Sequence, residues 1–238
     1  MLSNQFAAKG YAIIPEYVSA NACERLLAAI GKYRKQNFLP LIHRESGARP
    51  LHYSVIDGEK IMAGFPGVSK VFEETLQTVN EISGLDLAPL SDRKVACNIN
   101  ITPKGGAYRW HYDRNAVTAI LYLNEVEGGE TECYPNYRIS LNGGSSRLQQ
   151  PLDRLIGSSP IRSLFGKRLI VRPEAGKLLV MRGDRCLHSV FPVTGDAERI
   201  NIIMSFDLPG KEFDIADDLN RYLYETEPES ARDPNYRH

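Results

Sequence analysis

From Val95 to Phe206 the chain breaks into short β-rich runs separated by turn residues, and this texture limits the fold more than any other feature. The runs are Val95–Thr102, Tyr108–Tyr112, Val117–Asn124, Thr131–Tyr134, Leu169–Val171, Leu178–Met181, Ser189–Val193 and Ile200–Phe206. Gly105-Gly106, Gly128-Gly129, Pro173, Gly176, Gly183 and Gly195 punctuate them. Many short strands closed by glycine and proline turns predict a sandwich or jelly roll. Upstream, GYAIIPEYV (10–18) reads as a short strand ending in a turn. Ser19 or Asn21 then caps a predicted helix to about Gln36, with Leu26, Leu27, Ile30 and Tyr33 on one face. Residues 37–66 are mixed, broken by Pro40, Pro50 and Pro66. A second helix fits Val68 to Ile82, because Val68, Val71, Phe72, Leu76, Val79 and Ile82 make one apolar stripe and Gly84 suits its end.

The expected architecture is mainly β with flanking helices. It is one domain over 1–238, with strand and helix support over 1–92, a jelly-roll core over 93–210 and a tail over 211–238. Residues 136–167 interrupt the core as a long insertion with one helical turn near Leu152–Ile156, the pattern of a lid or binding loop. The tail from Glu225 is expected to lie on the surface or to be partly disordered.

Charge and cysteine usage narrow the partners. The 29 basic and 29 acidic residues cancel, so nothing in the balance calls for DNA or RNA. The four cysteines, Cys23, Cys97, Cys133 and Cys186, form no C-x-x-C pair, which argues for reduced thiols over a zinc site or disulfide framework. The first residues lack a basic stretch followed by an apolar one, and no apolar run reaches the roughly 18 residues of a membrane span. A cytoplasmic protein without membrane or nucleic-acid partners is expected. No sequence feature sets an oligomeric state.

The chemistry begins at YRWHYD, which places His111 and Asp113 two apart on a predicted strand, where i and i+2 share a face. With 5 histidines and 29 acids, about 0.6 such pairs arise by chance, so the pair alone is a weak motif. His188, at the head of a later strand in GDRCLHSVFPV, changes its weight. Two imidazoles and one carboxylate leave three positions of an octahedral ion open, the arrangement a non-haem iron(II) oxygenase needs. A structural zinc site would close on four ligands instead. Arg199, in ERINIIMSFD beyond a TGDAE turn, would lie on a strand hairpinned to that of His188. Its planar guanidinium suits the far carboxylate of a short dicarboxylic acid.

From about Tyr108 to Asp207 these landmarks resemble the Fe(II)/2-oxoglutarate-dependent oxygenase superfamily, in its prolyl hydroxylase-like and phytanoyl-CoA hydroxylase-like branch. The matching residues are His111-x-Asp113, ILYLN with Tyr122 and Asn124, GGET at 128–131, RPEAGKLLVM, HSVFPV and Arg199. The opening GYAIIPEYVSANACERLL is similar to that branch's first strand and helix, whereas 136–167 matches nothing in it. The resemblance implies a double-stranded β-helix, a cupin-like jelly roll packed on the N-terminal helices. It also implies that 2-oxoglutarate chelates the iron while Arg199 grips its distal carboxylate. Tyr122 stands where some relatives add a phenol hydrogen bond, and a tyrosine packed in the sheet is the equal alternative. Asn201 replaces the serine that many relatives carry, and an amide still donates to a carboxylate.

The implied reaction couples Fe(II), 2-oxoglutarate and O2 to substrate oxidation, releasing succinate and CO2, with ascorbate as a candidate stimulant. Related halogenases lack the carboxylate ligand so that halide can bind. Asp113 fills that position and favours hydroxylation, although desaturation, ring formation and dealkylation would use the same ligands. Arg109 shares strand parity with His111, and Arg114, Tyr134 and Arg185 lie near the ligands, so these four are candidate substrate residues. Trp110 reads as a packing residue and Asn115 as a flanking one. Glu130 and Glu132 suit either a cationic substrate or a solvated face, and His43 and His52 lack a ligand-spaced partner. Three readings follow: a hydroxylase of an amino acid or specialised metabolite, a prolyl-type protein or peptide hydroxylase, and a non-catalytic cupin-like binding protein. The intact set His111, Asp113, His188 and Arg199 argues against the third.

Overall fold

The computed structural model describes residues 2–44, 49–141, 148–211, 223, 224 and 226. Helices run over Leu2–Lys9 (α1), Ala20–Gln36 (α2), Gly58–Gly64 (α3), Pro66–Ser83 (α4), Arg93–Ala96 (α5), Gln149–Gly157 (α6) and Ser159–Phe165 (α7). Strands run over Tyr11–Ile14 (β1), Leu41–Arg44 (β2), Leu51–Ile56 (β3), Ala88–Pro89 (β4), Cys97–Thr102 (β5) and Tyr108–His111 (β6). They continue through Val117–Tyr122 (β7), Thr131–Tyr134 (β8), Leu169–Val171 (β9), Leu178–Met181 (β10), Leu187–Val190 (β11) and Arg199–Asp207 (β12).

The helices start and stop where local chemistry directs. The Ser19 hydroxyl accepts from the Ala22 N–H at 3.3 Å and caps α2. Pro66 opens α4, and Gly84, at φ 68°, ends it in the left-handed conformation. The α4 stripe buries Val68, Val71, Phe72, Val79 and Ile82, with Phe72 stacked on Phe206 at 5.3 Å between ring centroids.

Among the described residues every pairing between these strands is antiparallel, and one isolated bridge, Leu51 with Ala107, is parallel. The major sheet has the order β1-β10-β7-β12-β5-β3-β2, with β4 beside β12, and the minor sheet the order β6-β11-β8-β9. Two facing sheets with strands distant in sequence made adjacent form the double-stranded β-helix. Alternation along the central strands decides the layers. Ile99, Ile101, Ala119, Leu121, Ile202 and Met204 face the helices in the main core. Ile120, Tyr122, Leu179 and Met181 face inward and meet Cys133, Val171 and Cys186.

Several expectations change. The 37–66 stretch holds the β2–β3 pair and α3, with Ile42, Leu51, Tyr53 and Val55 in a small core of their own. The insertion carries two helices, α6 and α7, instead of one turn; its NGGSS loop at 142–147 lies outside the described residues. So does almost all of the tail. The predicted first core strand begins only at Cys97, because Asp92 caps α5 through the Lys94 N–H. The strand led by His188 is not hairpinned to that of Arg199. β11 pairs with β6 and β8 in the minor sheet, whereas β12 pairs with β5 and β7 in the major one. No described helix is long and apolar enough to cross a membrane.

Candidate metal centre

His111 ends β6, and His188 lies directly opposite it on β11, with ring centroids 4.0 Å apart. The register slips between His188 and Val190, whose partners are His111 and Tyr108, so β6 carries one extra residue there. Such a bulge re-aims side chains beside a site. Asp113 is not on the strand as predicted; it follows in the loop beyond β6. The loop is tied down by Asp113 N–H donating to the Gly183 carbonyl at 3.1 Å and by Gly183 N–H donating to Ala116 at 3.1 Å. Asp113 Oδ1 thereby lies 3.5 Å from His111 Nε2 and 3.6 Å from His188 Nε2. One ligand atom from each residue lies within 4.8 Å of the others, a geometry that can hold one ion.

The remaining atoms of the three side chains are occupied. His111 Nδ1 meets the Arg109 carbonyl at 2.9 Å, and His188 Nδ1 meets the Cys186 carbonyl at 3.0 Å. A carbonyl accepts only, so each δ nitrogen carries the proton and each ε nitrogen offers its lone pair inward. Thr118 Oγ1 donates to Asp113 Oδ2 at 2.6 Å, leaving Oδ1 toward the imidazoles. Burial raises the Asp113 carboxyl, but the positive charges of His188 and His111 once their rings are doubly protonated, with the hydrogen bonds that His111 then donates and Thr118 donates, prevail and hold it at about 2. Burial and the charge of His111 push His188 down to about 4, against the opposing pull of Asp113. A carboxylate and a neutral imidazole are the forms a metal needs.

A cavity of about 200 Å³ opens from this cluster across the inner face of the major sheet. At one end Arg199 is 3% exposed. It donates to Asn201 Oδ1 and, at 3.2 Å, to Thr131 Oγ1, and Thr131 also meets the Tyr122 hydroxyl at 2.6 Å. Burial lowers the Arg199 pKa while Tyr122 opposes the shift. Arg199 Nε and Asn201 Nδ2 are buried without a hydrogen-bond partner. A buried guanidinium beside an unused amide donor calls for an anion, and a carboxylate of a small cosubstrate fits that donor set. At the other end the wall comprises Asp92, Asn98, Asn100, Tyr53, Leu223 and Tyr224. There Asn100 donates to Asn98 at 2.8 Å, Asn98 to the Tyr224 hydroxyl at 3.1 Å, and Tyr53 to the Leu223 carbonyl at 2.7 Å.

The four proposed substrate residues separate. Arg114 lines the cavity, while Arg109, Tyr134 and Arg185 are not on its wall. The bulge explains Arg109, because parity fails where the strand gains a residue: Tyr108 and His111 both reach the cavity. Tyr134 is packed 5.5 Å from the rings of both Trp110 and Tyr137, and Arg185 lies half-exposed beside Asp184. Trp110 packs under the Arg162 guanidinium at 4.0 Å. Glu132 is buried and paired with Arg49 and Arg168 away from the cavity. His43 and His52 pair with each other, ring centroids 5.1 Å apart. Thr118 and Asn98 carried no sequence signal, since polar residues within apolar runs read as ordinary strand positions, and Thr131 entered only as the end of GGET.

Over residues 1–221 the sequence matches the HalD family, described as Halogenase D. No curated protein matches it in sequence. Among solved structures it is similar to SnoN, described as a non-heme alpha ketoglutarate dependent epimerase from nogalamycin biosynthesis. That match has 15% identity, 90% of this chain and 88% of that one covered, and a TM-score of 0.66. A Pseudomonas putida prolyl-4-hydroxylase matches with 20% identity, 88% and 100% covered and a TM-score of 0.59. HygX from Streptomyces hygroscopicus, solved with nickel and 2-oxoglutarate bound, matches with 12% identity, 87% and 86% covered and a TM-score of 0.60. The fold is the double-stranded β-helix of these 2-oxoglutarate-dependent enzymes.

Proposed function

The chain belongs to the Halogenase D family, and from that premise we propose that it is an iron(II)- and 2-oxoglutarate-dependent oxygenase that hydroxylates a small molecule. The observation that carries the reading is Asp113, whose Oδ1 lies within 3.6 Å of both imidazole Nε2 atoms. A halogenating site must give one ligand position to halide, and here a carboxylate occupies it. His111, Asp113 and His188 hold the metal, and Arg199 with Asn201 and Tyr122 receives the distal carboxylate of 2-oxoglutarate. Bound iron with 2-oxoglutarate and O2 supplies the oxidising chemistry, releasing succinate and CO2.

The chain's own groups bind and orient. Thr131 shares its hydroxyl between Arg199 and Tyr122 and fixes the anchor. The apolar wall of Val55, Ile120, Val190 and Ile203 excludes water, and Asn98, Asn100, Asp92, Arg114 and Tyr224 form the polar face that a substrate meets. A pocket of about 200 Å³ suits an amino acid or specialised metabolite better than a folded partner. The peptide reading draws on likeness to the prolyl hydroxylase fold, and closure of the wall by Leu223 and Tyr224 weighs against it. Four buried, unpaired thiols suit a reducing cytoplasm. The full 1–238 chain is read as one domain.

The test supplies Fe(II), ascorbate, 2-oxoglutarate and chloride with a metabolite panel. Succinate should form with iron, faster with the right substrate, and the product should gain one oxygen atom and no chlorine. Chlorine in place of hydrogen would reject hydroxylation. Succinate driven only by proline-containing peptides would transfer the assignment to the second reading.

A further inference from the structure

The loop carrying Asp113 is held more tightly than a metal ligand alone requires. Thr118, near the start of β7, is 2% exposed, and its hydroxyl donates to Asp113 Oδ2. That hydroxyl also accepts from Asn115 Nδ2 at 2.9 Å, while the same amide nitrogen donates to the Val117 carbonyl at 2.7 Å. Asn115 has no other hydrogen to give from that side chain, and the Thr118 proton is directed at the carboxylate by the donor it accepts from. Gly183 roofs the group. A Cβ there would come within 2.7 Å of the Asn115 carbonyl, 2.8 Å of Thr118 Oγ1 and 2.9 Å of Asp113 Cβ, so a larger residue would push the relay apart.

We propose that Thr118, oriented by Asn115 and roofed by Gly183, is the positioning residue that makes Asp113 a one-oxygen ligand. The inference rests on His111, Asp113 and His188 holding the metal. A carboxylate free to turn can chelate through both oxygens. With two imidazoles, that would fill four of six octahedral positions and leave too few for a chelating keto acid and O2 together. Because Oδ2 is engaged by Thr118, Asp113 offers one atom, and three positions remain. The same bond stops the side chain from swinging off the ion and yielding its place to halide. The relay is thus a device for oxygenation over halogenation that lies outside the ligand set itself.

The test uses the full chain stripped of metal and titrated with Co(II), with visible absorption and calorimetry as readouts and no turnover needed. Thr118→Val keeps size and strand propensity but deletes the hydroxyl, and a crystal structure of its Co(II)-loaded form should have both Asp113 oxygens on the ion. Thr118→Ser restores the hydroxyl and should return Asp113 to one oxygen on the ion, a rescue that packing alone would not give. A crystal structure of the Co(II)-loaded wild type should have Asp113 Oδ1 alone on the ion, with Oδ2 still on Thr118. Asp113 still bound through one oxygen in Thr118→Val, failure of the serine rescue, or both Asp113 oxygens on the ion in wild type would overturn the inference. Wild type that binds no Co(II) would instead overturn the metal-site reading beneath it.

Discussion

The two ends of the ligand set are built by opposite means. At the His111, Asp113 and His188 end, which could hold an ion, both Nδ1 atoms meet backbone carbonyls and Asp113 Oδ2 meets Thr118. Around the anchor, Arg199 Nε and Asn201 Nδ2 are buried and unpartnered. The first end is preorganised, so its stability does not wait on a ligand. The second keeps an uncompensated cation in the interior, which costs stability until an anion arrives. Loss of a metal ligand should therefore damage chemistry and cost the fold the hydrogen bond that ligand makes, whereas loss of the anchor should help the empty protein and harm the loaded one.

The largest expected effect is at Asp113. Asp113→Ala should reduce iron-dependent succinate formation below detection while the circular dichroism of the fold is retained; full turnover would show the carboxylate to be misassigned. Next comes Arg199→Met. The requirement for 2-oxoglutarate should rise roughly 30-fold or more, about 2 kcal/mol, the usual consequence of truncating a buried charged partner. The same variant should raise the thermal midpoint of the ligand-free protein, since replacing an uncompensated buried charge by an apolar side chain relieves its cost. A lowered midpoint with unchanged cosubstrate requirement would erase the contrast between the two ends.

Adding 2-oxoglutarate with a divalent metal should stabilise wild type by about 2.7 kcal/mol at one hundred times its Kd, and Arg199→Met much less at that concentration. Differential scanning fluorimetry reads both. The smallest effect belongs to Tyr122→Phe. Its phenol meets Thr131, which still reaches Arg199, so cosubstrate binding should weaken only by about 0.5–1.5 kcal/mol, with metal affinity unchanged. A Tyr122 effect equal to that of Arg199 would mean the phenol, and not the guanidinium, carries the anchor.

How much of this was legible in the sequence follows the same division. β8, β9 and β10 begin and end as their apolar runs do, because each is bounded by turn residues. The caps at Ser19 and Gly84 and the stripe of α4 were equally plain. β2 and β3 were hidden because Pro40 and Pro50 flank them and His43, Arg44, His52 and Ser54 interrupt their apolar residues. Arg199 stands out by type, but its sheet does not: adjacency along the chain suggested a hairpin with β11, and the chain instead crosses to the other sheet. Arg109 lies off the cavity wall although it shares nominal parity with His111, because a bulge cannot be counted from parity. Thr118 is invisible for a simpler reason, since a threonine in a strand looks the same whether its hydroxyl serves a ligand or only its neighbour.

This member of a family named for halogenation has Asp113 beside its two imidazoles, and hydroxylation is the chemistry proposed for it. Succinate formation by wild type with Fe(II) and 2-oxoglutarate, measured with and without chloride, tests it most directly. Iron-dependent succinate should form at the same rate in both conditions. A rate that requires chloride, or no iron-dependent succinate at all, would contradict it.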